Sequence, residues 1–451
     1  MKGRGAICAA VLLVMAAAVS VILACCGSDR ALDLMHYHAA IGAVGTFAVA
    51  CLLGAVWTWR RPAALLLHLG MALVLAGWIV GLLASPREGS LRLRAGQIGS
   101  VGGAFNFDLK DFSIDYWEDT GSVRQYTSRG VVDGEPQTIS VNHPLVKDGW
   151  WVYQNSYQEM TNPHTGKPLF FTILLCVKDV GLPLVFLGGI LLFLGALLYL
   201  RPVTALRSLA PLAPLKPLEP LTPLKALKPL RPLLTVLYAL AFCGALAMLI
   251  HRGLSTGHAP MQNMYEFLMC TAALLPILTF FARRAGERHA LLVDAALQAL
   301  VLVPVAFFMD GTVKHLMPAL QSPFFVPHVG AYVLGYVVLV RAAFGVGRGL
   351  VGLGFLLLTL GLVLGAAWGK VCWGHWWQFD PKEMWSLATW FVYAAFFHVR
   401  ARLSSRGETL FLAAGAVMIV LTLTWINLSR LFTGMHSYAE GRWEGEKGYI
   451  L

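Results

Sequence analysis

Long apolar runs alternate with short polar joints along almost the whole chain. Runs at about 6–26, 39–57, 63–84, 180–200, 233–250, 263–282, 290–309, 328–346, 350–368, 385–400 and 410–428 each approach the ~20 residues a helix needs to cross a bilayer. The pattern predicts a polytopic α-helical membrane protein of about eleven transmembrane helices. Lys and Arg cluster at every second joint: Arg60-Arg61, the 201–231 segment, Arg283-Arg284 with Arg288, Arg341 with Arg348, and Arg400, Arg402 and Arg406. Because basic loops stay cytoplasmic, one topology satisfies them all, with the amino terminus inside and the carboxyl terminus outside. The first run, after Met1-Lys2-Gly3-Arg4, reads either as a retained anchor or as a signal with a loose lipoprotein-like box at 22–25. Its length favours the anchor.

One large polar insertion, 86–178, falls on the outer side. Phe107, Leu109, Phe112, Ile114 and Tyr116 alternate with polar residues and slip by one at Lys110-Asp111, which predicts a half-buried strand with a bulge. Further strands are expected at 131–141, 150–154 and 170–177, with turns at Asp133-Gly134 and Asp148-Gly149. The insertion is therefore a small extracytoplasmic β domain. His143 and His164, each beside a proline, read as surface residues. From 206 to 233 a Leu recurs every third residue, most of them preceded by Pro from Pro211 on. That period favours polyproline II, a stiff cytoplasmic connector of roughly 70 Å if fully extended. It divides the chain into a three-helix segment (1–85), the β domain (86–178), a fourth helix (179–200), the connector (201–232), a seven-helix domain (233–440) and an outer tail (441–451).

Composition agrees: 57% of residues are hydrophobic and 13% charged, about half the charged share of a soluble domain. The net charge of +11 is confined to the joints, so it reports topology and not nucleic-acid binding. None of the eight cysteines forms a CxxC pair, which leaves neither a disulfide framework nor a thiol-redox motif.

The chemistry concentrates at 373–385, WGHWWQFDPKEMW. Four tryptophans, a phenylalanine and an Asp-Pro-Lys-Glu turn in thirteen residues exceed what an interfacial anchor needs and suit a flat aromatic ligand. Among thirteen histidines, depth singles out four. His68 and His398 fall at the inner ends of their spans; His328 and His436 fall at the outer face. Imidazoles in a bilayer are costly and functional by default, and as pairs these four fit two bis-imidazole sites for a haem iron. His258 reads as a pocket residue. His375 would meet a propionate or water. His36, His38, His251, His289 and His315 show no special feature.

These residues resemble the system II cytochrome c biogenesis proteins, in which a CcsB (ResB) module is joined to a CcsA (ResC) module. Trp373-Gly374, Trp377, Asp380-Pro381-Lys382-Glu383 and Trp385 look like the tryptophan-rich WWD signature of haem-handling proteins. The stretch 391–400 is similar to the segment ending in a membrane histidine, here His398. The stretches 325–329 and 434–438 resemble the segments carrying the outer ligands, here His328 and His436. More weakly, 65–83 looks like the CcsB span with the other membrane histidine, here His68, and 139–158 like the end of the CcsB outer domain. Two departures stand out: Phe379 replaces the usual Trp, and the outer domain is short.

The resemblance implies a holocytochrome c synthase, or haem lyase, in a bacterial cytoplasmic membrane with its active face outside. Haem b would be held by His68 and His398, then by His328 and His436, with Trp373, Trp376, Trp377, Phe379 and Trp385 against the macrocycle and Asp380 beside it. The implied partners are an apocytochrome c with a CxxCH motif, a thiol-reducing thioredoxin-like protein and the lipid bilayer, with no nucleic acid. Two other readings stay open: a cytochrome b-like transmembrane electron carrier, and a haem exporter without ligase activity.

Overall fold

The structure is a computed structural model that describes residues 2–26, 38–161, 166–204 and 228–428. His36, His164, His436, most of the Leu-Pro connector and the outer tail lie outside the described residues. The described chain forms eleven α-helices: α1 (Lys2–Cys26), α2 (His38–Trp57), α3 (Pro62–Ala84), α4 (Leu182–Thr204), α5 (Arg231–Thr256), α6 (Met264–Arg284), α7 (Ala290–Phe307), α8 (Phe325–Ala343), α9 (Val351–Trp373), α10 (Pro381–Val399) and α11 (Ser405–Leu428). Each covers one of the expected apolar runs. Eight are long and apolar enough to cross a membrane, and α2 and α4 contain shorter apolar stretches. Helix α10 falls short by composition: its first turn holds Lys382 and Glu383 and its last holds His398. The protein is an integral membrane protein.

Between α3 and α4 the chain builds two four-stranded antiparallel sheets, ordered β1-β8-β7-β6 and β2-β3-β4-β5. The strands are β1 (Arg87–Leu93), β2 (Ile98–Val101), β3 (Phe105–Tyr116), β4 (Val123–Val132), β5 (Glu135–Ser140), β6 (Leu145–Lys147), β7 (Trp150–Thr161) and β8 (Pro168–Val177). Alternate residues of both sheets meet in one core containing Phe107, Leu109, Ile139, Trp150, Val152 and Leu174. The register of β3 on β4 slips between Leu109 and Asp111, the position where the hydrophobic alternation breaks. Asp133-Gly134 and Asp148-Gly149 both have positive φ, the two-residue geometry that closes twisted hairpins. The single strand expected over 131–141 is thus the end of β4, a turn and β5. The sheets are also cross-linked by a buried polar contact, Ser128 Oγ donating to Gln154 (2.6 Å).

The β domain is docked on the loop before α8. Asn142, in the left-handed region at φ 67°, donates its amide to the carbonyls of Pro318, Ala319 and Gln321 at 2.9, 3.2 and 3.1 Å. Nearby, His315 stacks on Trp117 (4.3 Å) and its Nε2 meets Asp119 (2.7 Å), which holds the Asp119 carboxyl below its usual range. His315, unremarkable in sequence, is a docking residue.

Among the described residues, two buried charge pairs lie within the helices. Arg341 donates twice to Asp294 (both 2.8 Å), which also accepts from Thr279; Arg252 donates to Glu266 at 2.9 Å. Such pairs pin helices in one register, because removing either partner strands a charge in low dielectric. Helix α1 lies along α10, with Ala10, Leu13 and Ala17 packed against Ala388, Phe391, Ala395 and Val399. Small residues allow that close approach.

Candidate functional site

Two histidine environments stand at opposite ends of the helical core, linked by α10. From Pro381 to His398 that helix rises roughly 26 Å, most of a hydrocarbon core.

At the far end, His68 of α3 and His398 of α10 face each other with ring centres 6.0 Å apart and planes at 85°. Each ring is fixed in the same way. Nδ1 of His68 bonds the carbonyl of Ala64 at 2.7 Å, and Nδ1 of His398 bonds that of Ala394 at 2.7 Å. A carbonyl can only accept, so each Nδ1 carries the proton and each Nε2 keeps its lone pair. This is the tautomer that ligates a metal, oriented by an outer hydrogen bond. A metal held by two imidazoles through bonds of about 2 Å separates the ring centres by roughly 6 Å. Helix α2 makes room for the pair: a Cβ on Gly54 would lie 2.4 Å from Cδ2 and 2.9 Å from Nε2 of His68. The residues therefore fit the iron of a haem.

At the other end, α6, α8, α9, α10 and α11 frame a cavity of about 200 Å³, lined by His328, Trp368, Trp377, Lys382, Glu383 and Tyr332 among others. His328 lies in the first turn of α8. Its Nδ1 bonds the Gly361 carbonyl (2.9 Å), and its ring contacts Tyr332 and Trp368 at 5.1 and 5.6 Å. The same tautomer argument puts the proton on Nδ1 and the lone pair on Nε2. Gly365 again marks close approach: a Cβ there would meet His328 Cε1 at 2.6 Å.

The aromatic stretch at this second end is two helix ends and a short link, not one loop. Helix α9 runs through Trp373 and stops at Gly374, which is left-handed (φ 85°) as a C-terminal cap requires. Helix α10 starts at Asp380, whose side chain accepts from the Lys382 N–H in a capping box closed by Glu383. Glu383 also accepts from the N–H groups of Gln378 (2.9 Å) and Asp380 (3.2 Å), so it ties the link together. These bonds hold Phe379 at φ 56°, a costly setting for an aromatic residue.

The rings diverge accordingly. Trp377 lines the cavity. Trp373 stacks on Trp368 at 5.9 Å. Trp376 packs edge-on against Phe186 of α4. Phe379 and Trp385 are buried in a cluster with Leu23, Trp78 and Met384, and Phe379 meets Trp78 edge-to-face at 6.1 Å. Those three rings brace the link against the amino-terminal helices. His375 is half-buried; burial and the Lys370 charge push its pKa down to about 4. Lys370 bonds the Gly374 carbonyl (3.0 Å) and pairs with Asp179 (3.3 Å), just after β8. His258, expected at a pocket, instead faces the carbonyls of Ala259 and Lys314.

Gly54, Gly365 and Trp368 escape a sequence reading because their roles exist only across helices. Asp294 stands in the sequence as a charge inside an apolar run, a signal that could have found it.

The described helices thus form a membrane protein with a pair of facing imidazoles at one end and an aromatic-walled cavity at the other. Comparison with known families makes the assignment specific. Residues 346–436 match the model described as Cytochrome C assembly protein, and residues 51–172 match the ResB-like family. Relatives include proteins named "Cytochrome c biogenesis protein CcsA". The one from Prochlorococcus marinus (strain MIT 9303) is 29% identical over 264 residues, covering 45% of this chain and 83% of that protein. The one from Synechococcus sp. (strain RCC307) is 29% identical over 250 residues (43% and 80%), and that from Solanum tuberosum 24% over 262 (44% and 82%). The chain joins a ResB-like domain and a cytochrome c assembly domain in one polypeptide, the arrangement of a system II CcsB–CcsA fusion. Its role is in cytochrome c biogenesis. His68 lies in the first matched segment and His398 in the second.

Proposed function

We propose that this protein carries haem b across a bacterial cytoplasmic membrane and joins it to an apocytochrome c on the outer side. The observation that supports this most is the pairing of His68 and His398. Two imidazoles from different family segments stand with ring centres 6.0 Å apart, each with Nδ1 tied to a carbonyl, which leaves the lone pair on Nε2. On this reading they take haem at the cytoplasmic side. His328, with His436 as the second axial ligand, receives it in the outer cavity, where Trp377 and Trp368 supply aromatic walls. Filling both axial positions keeps oxygen from the iron.

Each thiol of the substrate's CxxCH motif then adds across one haem vinyl: sulfur bonds the inner vinyl carbon, the hydrogen goes to the terminal carbon, and nothing leaves. The substrate's own histidine displaces one outer ligand and releases the product. A thioredoxin-like partner keeps the two thiols reduced. The protein's contribution is position, a protected iron and exclusion of water.

Co-expression with an apocytochrome c in a host without its own maturation system tests this. Covalent haem on the substrate is expected, with loss in His328→Ala and partial return when imidazole is supplied. Bound haem without covalent product would favour the electron carrier or exporter, and full maturation by His328→Ala would sink the outer-site assignment.

A further inference from the structure

We propose that Arg61 receives a carboxylate of the haem held by His68 and His398, and so sets the macrocycle there with its vinyl edge toward the outer face. The inference rests on the haem reading above and names the residue that orients the ligand at its first site. Arg61 is the N-terminal cap of α3, and His68 follows seven residues later. Seven residues make two helical turns less about 20°, so both lie on one face of α3, roughly 10 Å apart along its axis. The joint before α3 is tied to the same place. A Cβ on Gly54 would press on the His68 ring. The Thr58 N–H and hydroxyl both donate to the Gly54 carbonyl, at 3.0 and 2.7 Å, and the Arg61 N–H donates to the Thr58 carbonyl at 2.7 Å.

Every inner joint is basic for reasons of topology; Arg61 differs in standing beside the pair with no acid near it in the chain. Residues 38–86, which hold α2, α3 and the joint between them, contain no Asp or Glu. Arg61 is exposed, and among the described residues its guanidinium has no acidic partner. By contrast, Arg400, two residues beyond His398, pairs with Glu408 at 3.6 Å, and Arg60 lies over the ring of Trp59. In haem b the carboxylates and the vinyls lie on opposite edges. On the membrane side of the pair, 69–76 of α3 and 390–397 of α10 carry no charged residue. A carboxylate lodged there without a cation or donors is strongly disfavoured. The carboxylate edge therefore turns toward the joint, where a guanidinium offers two parallel N–H donors, and the vinyl edge leads along α3 and α10 toward the outer cavity.

The test measures the affinities of haem b and of its dimethyl ester for the purified full-length protein carrying His328→Ala, which isolates the inner pair. The free acid should bind tighter by on the order of tenfold, the scale of one charge-assisted contact. Arg61→Gln should erase that preference by weakening the free acid while the ester binds as before, and Arg61→Lys should keep most of it. Arg284→Gln, at the inner end of α6, should keep all of it. An Arg61→Gln protein that retains the full preference overturns the proposal, and so does an Arg284→Gln protein that loses it equally, since diffuse inner charge would then be the cause. The absence of any preference with Arg61 intact overturns it too, a result that does not depend on Arg61→Gln folding. Adding His68→Ala separates the two readings. If the haem spectrum is unchanged, the inner-pair assignment falls; if it shifts while Arg61→Gln keeps the preference, only the arginine assignment falls.

Discussion

A methyl group added to Gly54 should disable the inner haem site without touching a ligand. The built Cβ lies 2.4 Å from His68 Cδ2, about 1 Å inside the 3.4 Å where ordinary contact begins. The ring cannot swing away freely, because its Nδ1 bond to Ala64 holds it at 2.7 Å. A ligand set tolerates about 0.5 Å of error, so the His68–His398 pair would be out of register. Overpacking of this kind costs about 1–3 kcal/mol, which, expressed as haem affinity, is about 5- to 150-fold. The assay is the Soret absorbance per protein after purification of Gly54→Ala from membranes, in a His328→Ala background that isolates the inner pair. Gly42→Ala is the control, since that position on the same helix meets nothing within 4 Å. Loss of haem in Gly54→Ala, with Gly42→Ala unchanged, is expected. Haem content and a bis-imidazole spectrum equal to the parent protein in Gly54→Ala would refute the reasoning.

Four further outcomes follow from the same geometry. Glu383→Ala leaves two link amides without an acceptor and should cost about 1–3 kcal/mol locally, read as faster hydrogen exchange at residues 378–380 and lower maturation. Lys370→Met should destabilise the protein by about 3 kcal/mol by stranding Asp179, with partial recovery in Lys370→Met/Asp179→Leu, both read by thermal unfolding in detergent. Asn142→Ala removes three contacts between the β domain and the loop before α8, and should cost about 1–2 kcal/mol, seen as easier proteolysis near residues 316–322. His375 titrates at about 4 in the folded protein against 6.5 unfolded. The unfolded chain therefore binds the extra proton, and this contribution to stability, complete above about 6.5, is lost as pH falls toward 4. His375→Phe should flatten that part of the profile.

The helices were legible because burial in lipid demands long apolar runs, and each expected run corresponds to one helix. The β3 bulge and both Asp-Gly turns were legible because a period of two, and a residue tolerant of positive φ, leave local marks. What lay beyond the sequence was lateral. Phe379 looked like a weakened member of an aromatic platform, yet its left-handed backbone turns it toward Trp78 of α3. Trp376 and Trp385 share that fate, because a string of letters does not say which side of a link a ring faces. Conversely Trp368, at the end of an apolar run and unremarked in the sequence, walls the cavity. The strands β1, β2, β6 and most of β4 were missed because they are short or carry polar residues without a clean alternation, and β1 takes its place only by pairing with β8 far along the chain.

The Asp179–Lys370 pair and the seam between α1 and α10 both join the part of the chain before the connector to the part after it. Mutual recognition of the halves is thus written into their surfaces rather than into the peptide bond that joins them. Severed anywhere within 205–227 and made as two polypeptides, the halves should find each other as a one-to-one heterodimer. Fusion would then act on dosage, matching the supply of one half to the other.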